Sequence, residues 1–183
     1  MTEGPGPGTS TADAGGAARI RVAVEADAEP IRRIYNHEVH HSTATFDLVP
    51  RSREDQRSWL ASRSGAFSVL VAEWEDEVVG FASMSPYKER AAYRTTVEDS
   101  VYVRRDRHGL GIGRSLLIAV LDAAEASGFH AVMARIEAGG VASRALHEAC
   151  GFRLVGVERE VGRKFNRWLD IALMQCLLHE RPR

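Results

Sequence analysis

The segment His108-Gly109-Leu110-Gly111-Ile112-Gly113-Arg114 sets three glycines at alternate positions between an apolar strand pattern and an apolar helix pattern. Glycine carries no Cβ, so backbone N–H groups approach an anion closely, and the start of the next helix adds unpaired donors and a favourable dipole. That is chemistry for a phosphate or pyrophosphate. Two familiar phosphate loops fit poorly. A P-loop needs Gly-Lys-Ser/Thr after a four-residue gap, and here Gly113 precedes Arg114. A dinucleotide fingerprint needs G-x-G-x-x-G, whereas the spacing here is G-x-G-x-G. A tight strand-to-helix turn without a ligand accounts for the same glycines, so the loop alone leaves both readings open.

Other reactive side chains carry less. His37, His40 and His41 sit at helical spacings, but no H-E-x-x-H motif is completed, so a solvated helix end and no metal are expected. Cys150 and Cys176 are far apart with no C-x-x-C, which points to neither a zinc site nor a disulfide scaffold. Cys150, next to Gly151, reads as a buried, inert thiol. Trp59, Trp74 and Trp168 read as core or interface residues rather than stacking platforms. The stretch Arg159 to Arg167 is basic and adjoins Trp168. The whole chain nonetheless balances 24 Lys and Arg against 25 Asp and Glu, so no nucleic-acid partner is expected.

The elements that must hold these groups fit one domain, since 183 residues fall near a single-domain length and 44% apolar content is ordinary for a globular chain. Met1 to about Ala18 is rich in Gly, Pro, Ala, Ser and Thr and is expected to be a disordered leader without the pattern of a secretory signal. The folded part is expected over residues 19–178, with 179–183 as a C-terminal tail. No run of about 18 apolar residues exists, so no membrane contact is expected and the location is expected to be cytoplasmic.

Alternation at Ile20, Val22 and Val24 predicts a first strand. Asp27 is placed to cap a helix bearing Ile31, Ile34 and Tyr35, and a second helix is predicted over residues 54–62 with Trp59 and Leu60 inward. Strands are predicted over 67–74, 78–87 and 95–103, with a polar turn at Glu75-Asp76-Glu77. The firmest helix covers 114–127, its stripe of Leu116, Leu117, Val120, Leu121 and Ala124 ending at Gly128. A buried strand over 131–136, a short helix over 141–150 and strands over 153–160 and 168–177 follow. The sum is a mixed α/β (α+β) domain.

This arrangement resembles the GNAT acetyltransferase superfamily. Val101-Tyr102-Val103 ends a strand before the glycine loop, and Ser143-Arg144-Ala145-Leu146-His147-Glu148-Ala149-Cys150-Gly151-Phe152 follows it. The family signature [QR]-x-x-G-x-[GA] falls on residues 108–113. Finer matches are similar to the phosphinothricin or methionine sulfoximine N-acetyltransferase branch. They are Ile34-Tyr35-Asn36-His37, Ser42-Thr43-Ala44-Thr45-Phe46, Ser85-Pro86-Tyr87-Lys88, Val97-Glu98-Asp99-Ser100-Val101-Tyr102-Val103 and Val161-Gly162-Arg163-Lys164-Phe165. The resemblance spans Arg19 to Leu178 and implies one mixed central sheet flanked by helices on both faces.

It also implies roles. Acetyl-CoA would bind with its pyrophosphate on His108, Gly109, Leu110, Gly111, Ile112, Gly113, Arg114 and Ser115. Its pantetheine arm would lie along Val101, Tyr102 and Val103, with Gly140 and Ser143 nearby. His108 stands where the family has Gln or Arg, and Gly140 where Asn is frequent. Glu98 would be the general base that frees the attacking amine of a proton, since an α-amine is mostly protonated near neutrality. A backbone N–H near Val101 would stabilise the oxyanion, and His147, where many relatives have Tyr, would donate to the departing thiolate or bind substrate. Lys88, Arg90 and Tyr93 would hold the substrate's acidic group, with Phe46 as an aromatic wall. The expected acceptor is a small amino-acid analogue, phosphinothricin or methionine sulfoximine, and the expected assembly a homodimer. Other amines, such as a protein N-terminus or an aminoglycoside, and a non-catalytic acyl-CoA sensor, are the competing readings.

Overall fold

The computed structural model describes residues 17–181. The leader expected over the first 18 residues lies almost entirely outside them, though Ala18 packs against the core.

Seven strands are β1 Arg19–Val22, β2 Leu70–Trp74, β3 Glu77–Pro86, β4 Thr96–Val103, β5 Ala131–Glu137, β6 Arg153–Lys164 and β7 Arg167–Leu177. They form one sheet in the order β1-β2-β3-β4-β5-β7-β6. Every neighbouring pair is antiparallel except β4 and β5, which run parallel. Helices α1 Ala28–His41 and α2 Arg53–Ala61 cover one face, while α3 Ile112–Ala126 and α4 Val141–Ala149 cover the other. The predicted mixed sheet with helices on both faces is the observed architecture.

Side-chain alternation decides which helix meets which face. On β4 and β5, Val97 and Val132 point to α3 and are fully buried, together with the predicted stripe Leu116, Leu117, Val120, Leu121 and Ala124. The opposite face receives Ile31, Ile34 and Tyr35 of α1 against Val71 and Phe81. Gly80 permits the closest backbone approach, since a Cβ there would lie 2.9 Å from the Tyr102 carbonyl oxygen and 3.0 Å from Leu116 Cδ1. Gly128, at φ +77°, ends α3 as predicted, its N–H returning to the Glu125 carbonyl.

Several predicted boundaries shift. The first strand stops at Val22, and both Val22 and Val24 are exposed. Asp27 stands at the α1 N-cap position without capping it, because its carboxylate accepts from Val24 N and the Arg21 guanidinium instead. Phe67 belongs to a 3-10 turn packed on Phe129, so β2 begins only at Leu70. Helix α3 begins inside the glycine loop, at Ile112 rather than Arg114. Strand β6 continues past Glu160 to Lys164, passing irregularities at Leu154/Gly156 and Glu158/Gly162 that alternation alone does not reveal. Beyond β7, Leu178–Glu180 forms a 3-10 turn and Arg181 pairs with Asp122 and Glu125 of α3. Trp59 and Trp74 are partly buried against the two cores, whereas Trp168 is 61% exposed. Both cysteines are buried and unpaired.

Candidate active site

The parallel ladder between β4 and β5 is short. It runs from Thr96↔Ala131 to Glu98↔Met133, while β4 continues to Val103 and β5 stays paired with β7 as far as Glu137↔Ile171. The two strands therefore part after Glu98, and the β4 edge facing β5 has no strand partner over residues 99–103 among the described residues. A cleft of about 560 Å³ opens at this parting. Val101, Tyr102, Val103, His108, Gly109, Gly111, Ile112, Gly113 and Arg114 line it on one side, and Gly140 and Ser143 on the other.

At its far end lies the start of α3. Gly111 is the N-cap at φ +77°, with no side-chain cap, and Gly109 has φ +78°. The first intrahelical bond is Ser115 N–H to the Gly111 carbonyl at 3.0 Å, which leaves the N–H groups of Ile112, Gly113 and Arg114 without helical partners. The expected run of free amides thus stops one residue short of Ser115. Leu110 and Ser115 are exposed and do not line the cleft. Arg105, Arg107 and Arg114 add positive charge to the lining. His108 turns its imidazole back, Nε2 donating to the Val103 carbonyl at 2.9 Å. Gly140 caps α4 tightly, since a Cβ there would meet the Glu137 carbonyl at 3.0 Å. Free helix amides, a strand edge and three guanidinium groups suit a diphosphate carrying an amide-containing arm.

Two acidic groups flank the point of parting, one on each face. Asp99 faces α4, where its Oδ2 lies 3.1 Å from His147 Nε2, and His147 Nδ1 donates to the Ser143 carbonyl at 2.7 Å. Both side chains are almost fully buried and line the cleft. Burial presses the imidazole's pKa down, but the Asp99 hydrogen bond and charge and the Ser143 carbonyl outweigh it, so the net shift is upward. Asp99 Oδ1 has no hydrogen-bond partner. Glu98 points to the opposite face, half-buried, one residue outside the cleft lining. Burial raises its carboxyl above the ordinary range, Arg135 opposes this, and Asp99 and Glu158 add to it.

The remaining expected site residues are more scattered. Phe46, half-buried in the loop after α1, packs its ring against Gly162 of β6. A Cβ on Gly162 would meet its ring at 2.1 Å. Lys88, Arg90 and Tyr93 occupy the exposed loop joining β3 to β4, with Lys88 Nζ 4.8 Å from the Tyr87 ring centre and 5.2 Å from that of Tyr93. They do not line the cleft. The loop enters β4 at Thr96, two residues before Glu98. His37, His40 and His41 end α1 exposed, the His41 ring lying tilted against those of His37 and His40.

Sequence reading missed Asp99, Arg135 and the pair Glu38–Arg105. Glu38 is buried in α1, accepts from both Arg105 and Ser42, and lines the cleft. A signal existed for Arg135, an arginine inside the otherwise apolar run Ala-Val-Met-Ala-Arg-Ile.

Similarity to known proteins follows the same geometry. A sequence profile of the acetyltransferase (GNAT) family matches residues 16–152. Phosphinothricin N-acetyltransferase of Streptomyces coelicolor is 41% identical over 162 residues, covering 86% of this chain and 92% of that protein. L-methionine sulfoximine/L-methionine sulfone acetyltransferase of Pseudomonas aeruginosa is 40% identical over 155 residues, covering 84% and 90%. A GNAT superfamily phosphinothricin acetyltransferase from Sinorhizobium meliloti, crystallised with AcCoA, superposes with a TM-score of 0.85 at 36% identity, covering 88% of this chain and 89% of that one. With its parted central strands and glycine-opened helix, this chain belongs to the GNAT family of acetyltransferases.

Proposed function

We propose that this chain transfers the acetyl group of acetyl-CoA to the α-amine of a small amino-acid analogue of the phosphinothricin or methionine sulfoximine/sulfone type. The observation that carries the reading is the parting of β4 and β5, which joins uncapped helix amides at one end to Glu98 at the other. The diphosphate binds the N–H groups of Ile112, Gly113 and Arg114, and the pantetheine arm pairs with the free edge of Val101 to Val103. That arrangement brings the thioester to the parting.

Glu98 removes a proton from the substrate ammonium, directly or through one water, and the freed nitrogen attacks the thioester carbonyl. The resulting oxyanion takes a backbone N–H near Val101. As the nitrogen gives up its second proton to water, the C–S bond breaks, and the thiolate takes a proton from His147, whose charged form Asp99 favours. Transfer is direct, with no acyl-enzyme. Lys88, Arg90 and Tyr93 attract the substrate's acidic group, and Phe46 walls the acceptor pocket. The enzyme works in the cytoplasm as a homodimer.

Release of coenzyme thiol over a panel of amines tests the assignment. Turnover of phosphinothricin or methionine sulfone is expected. Turnover of peptides or aminoglycosides but of neither analogue would replace it.

A further inference from the structure

An α-amino acid presents its carboxylate one carbon away from its amine, so a base that reaches the amine must have a cation close beside it. Strand alternation supplies one. Glu98 is in register with Met133, and Arg135 follows two residues later on β5, on the same face of the sheet. Arg135 lines the cleft where Glu98 ends it, and its side chain is 37% exposed. One guanidinium nitrogen lies 2.8 Å from Glu158 of β6, whose own side chain is 40% exposed. A guanidinium has five donors in a planar fork, so this contact leaves capacity for a second carboxylate. The charges on this face alternate: Glu98 negative, Arg135 positive, Glu158 negative, with Glu137 two residues farther along β5 accepting from Thr43 and Gly139. That pattern complements a zwitterion and opposes a simple anion.

Building on the acceptor class assigned above, we propose that Arg135 binds the α-carboxylate of the acceptor amino acid and thereby sets its amine against Glu98. Lys88 and Arg90 on the β3–β4 loop then draw the acidic substrate toward the site, and Arg135 fixes its α-carboxylate at the parting. Arg135 is a specificity residue on a strand paired with β7, while the loop cations are exposed.

Methionine sulfone separates the roles, because the α-carboxylate is its only anionic group. Its binding by calorimetry in the presence of CoA, and its turnover with acetyl-CoA, are compared with those of its α-carboxamide. Arg135→Gln is expected to weaken binding and raise KM for methionine sulfone about ten- to a hundredfold, with the carboxamide little changed. Glu158→Gln, which frees the guanidinium, is expected to lower KM for the acid and decides the matter should Arg135→Gln not fold. Equal loss for acid and amide overturns the proposal, since Arg135 then acts only through Glu98 or the fold. Equal affinity of wild type and Arg135→Gln for the acid overturns it too. Binding without turnover, weakened by Arg135→Gln, keeps this assignment and removes the catalytic one; turnover undiminished by Arg135→Gln does the reverse.

Discussion

A carboxylate can act as a base only when ionised, and Glu98 sits where burial disfavours ionisation. Its activity should therefore rise with pH through a limb lying above the ordinary carboxylate range, not below it, because the folded-site pKa is raised. Glu98→Gln is expected to abolish that limb and lower kcat by about 10²–10⁴-fold, the usual yield of a positioned general base. Calorimetry should show acetyl-CoA affinity unchanged, because Glu98 lies outside the lining of the cleft proposed to receive the coenzyme. An acidic limb retained in the variant would assign the base elsewhere. At this scale the sequence was most legible where chemistry is local. The glycines reveal themselves by type and spacing, whereas His147 stands out only through the family resemblance. Asp99 was hidden because its importance lies in a partner 48 positions away, met only once β4 and α4 are in register. Arg135 was visible as a lone arginine in an apolar run, but its meaning appears only when the neighbouring strand places Glu98 on the same face.

Elements respond as units, and α4 offers the clearest case. It makes few packing contacts of its own and keeps only His147 fully buried, so the bond to Asp99 on β4 is a main tether. Because the folded pKa of His147 is raised, this tether contributes fully below about pH 6.5 and is lost as pH rises through the folded value. Thermal melting of the wild type should therefore lose part of its stability on going from mildly acidic to alkaline pH. Asp99→Asn should flatten that slope while lowering stability at the acidic end, and parallel slopes in the two proteins would remove the tether from the account. Helix α3 behaves differently, being held by apolar burial that does not titrate. Leu117→Ala, at a fully buried site, is expected to cost about 2–5 kcal/mol in denaturant unfolding at any of these pH values. The α3 stripe was legible because a 3.6-residue period over four turns has no competing explanation. The end of β6 was not, because its irregularities at Leu154/Gly156 and Glu158/Gly162 break the two-residue period on which strands are recognised. Gly162 marks one of them. It leaves room for Phe46, and Gly162→Ala should displace that ring and raise KM for the acceptor without altering coenzyme affinity.

For the molecule as a whole, the sheet's order leaves the twelve-residue β6 as an outer edge, with β7 its only strand partner among the described residues. An edge of that length offers a row of unpaired N–H and C=O groups, which soluble proteins usually protect. Here the protection is incomplete, and the strand is also apolar on its surface. Leu154, Val155, Val157 and Val161 are each about half exposed, and Phe165 and Trp168 at the β6–β7 turn are 50% and 61% exposed. A second copy of the chain covers such a strip naturally, since a two-fold axis presents the same self-complementary patch to itself. The basic residues Arg159, Arg163 and Arg167 interleave with these apolar ones, so the strip is amphipathic and suits an interface with a polar rim. The same segment reaches the proposed acceptor pocket through Gly162 beneath Phe46 and through Lys164, whose ammonium donates to the Thr45 carbonyl at 2.8 Å. Association would thus brace the pocket wall as well as hide the edge. Size-exclusion chromatography with light scattering is expected to give twice the mass of one chain. Val157→Lys, at a half-exposed position whose long side chain can reach solvent, should shift that mass toward the monomer while the circular dichroism spectrum is kept. It should also raise KM for the acceptor more than for acetyl-CoA. Monomer mass for the wild type at high protein concentration would leave the strip without this partner.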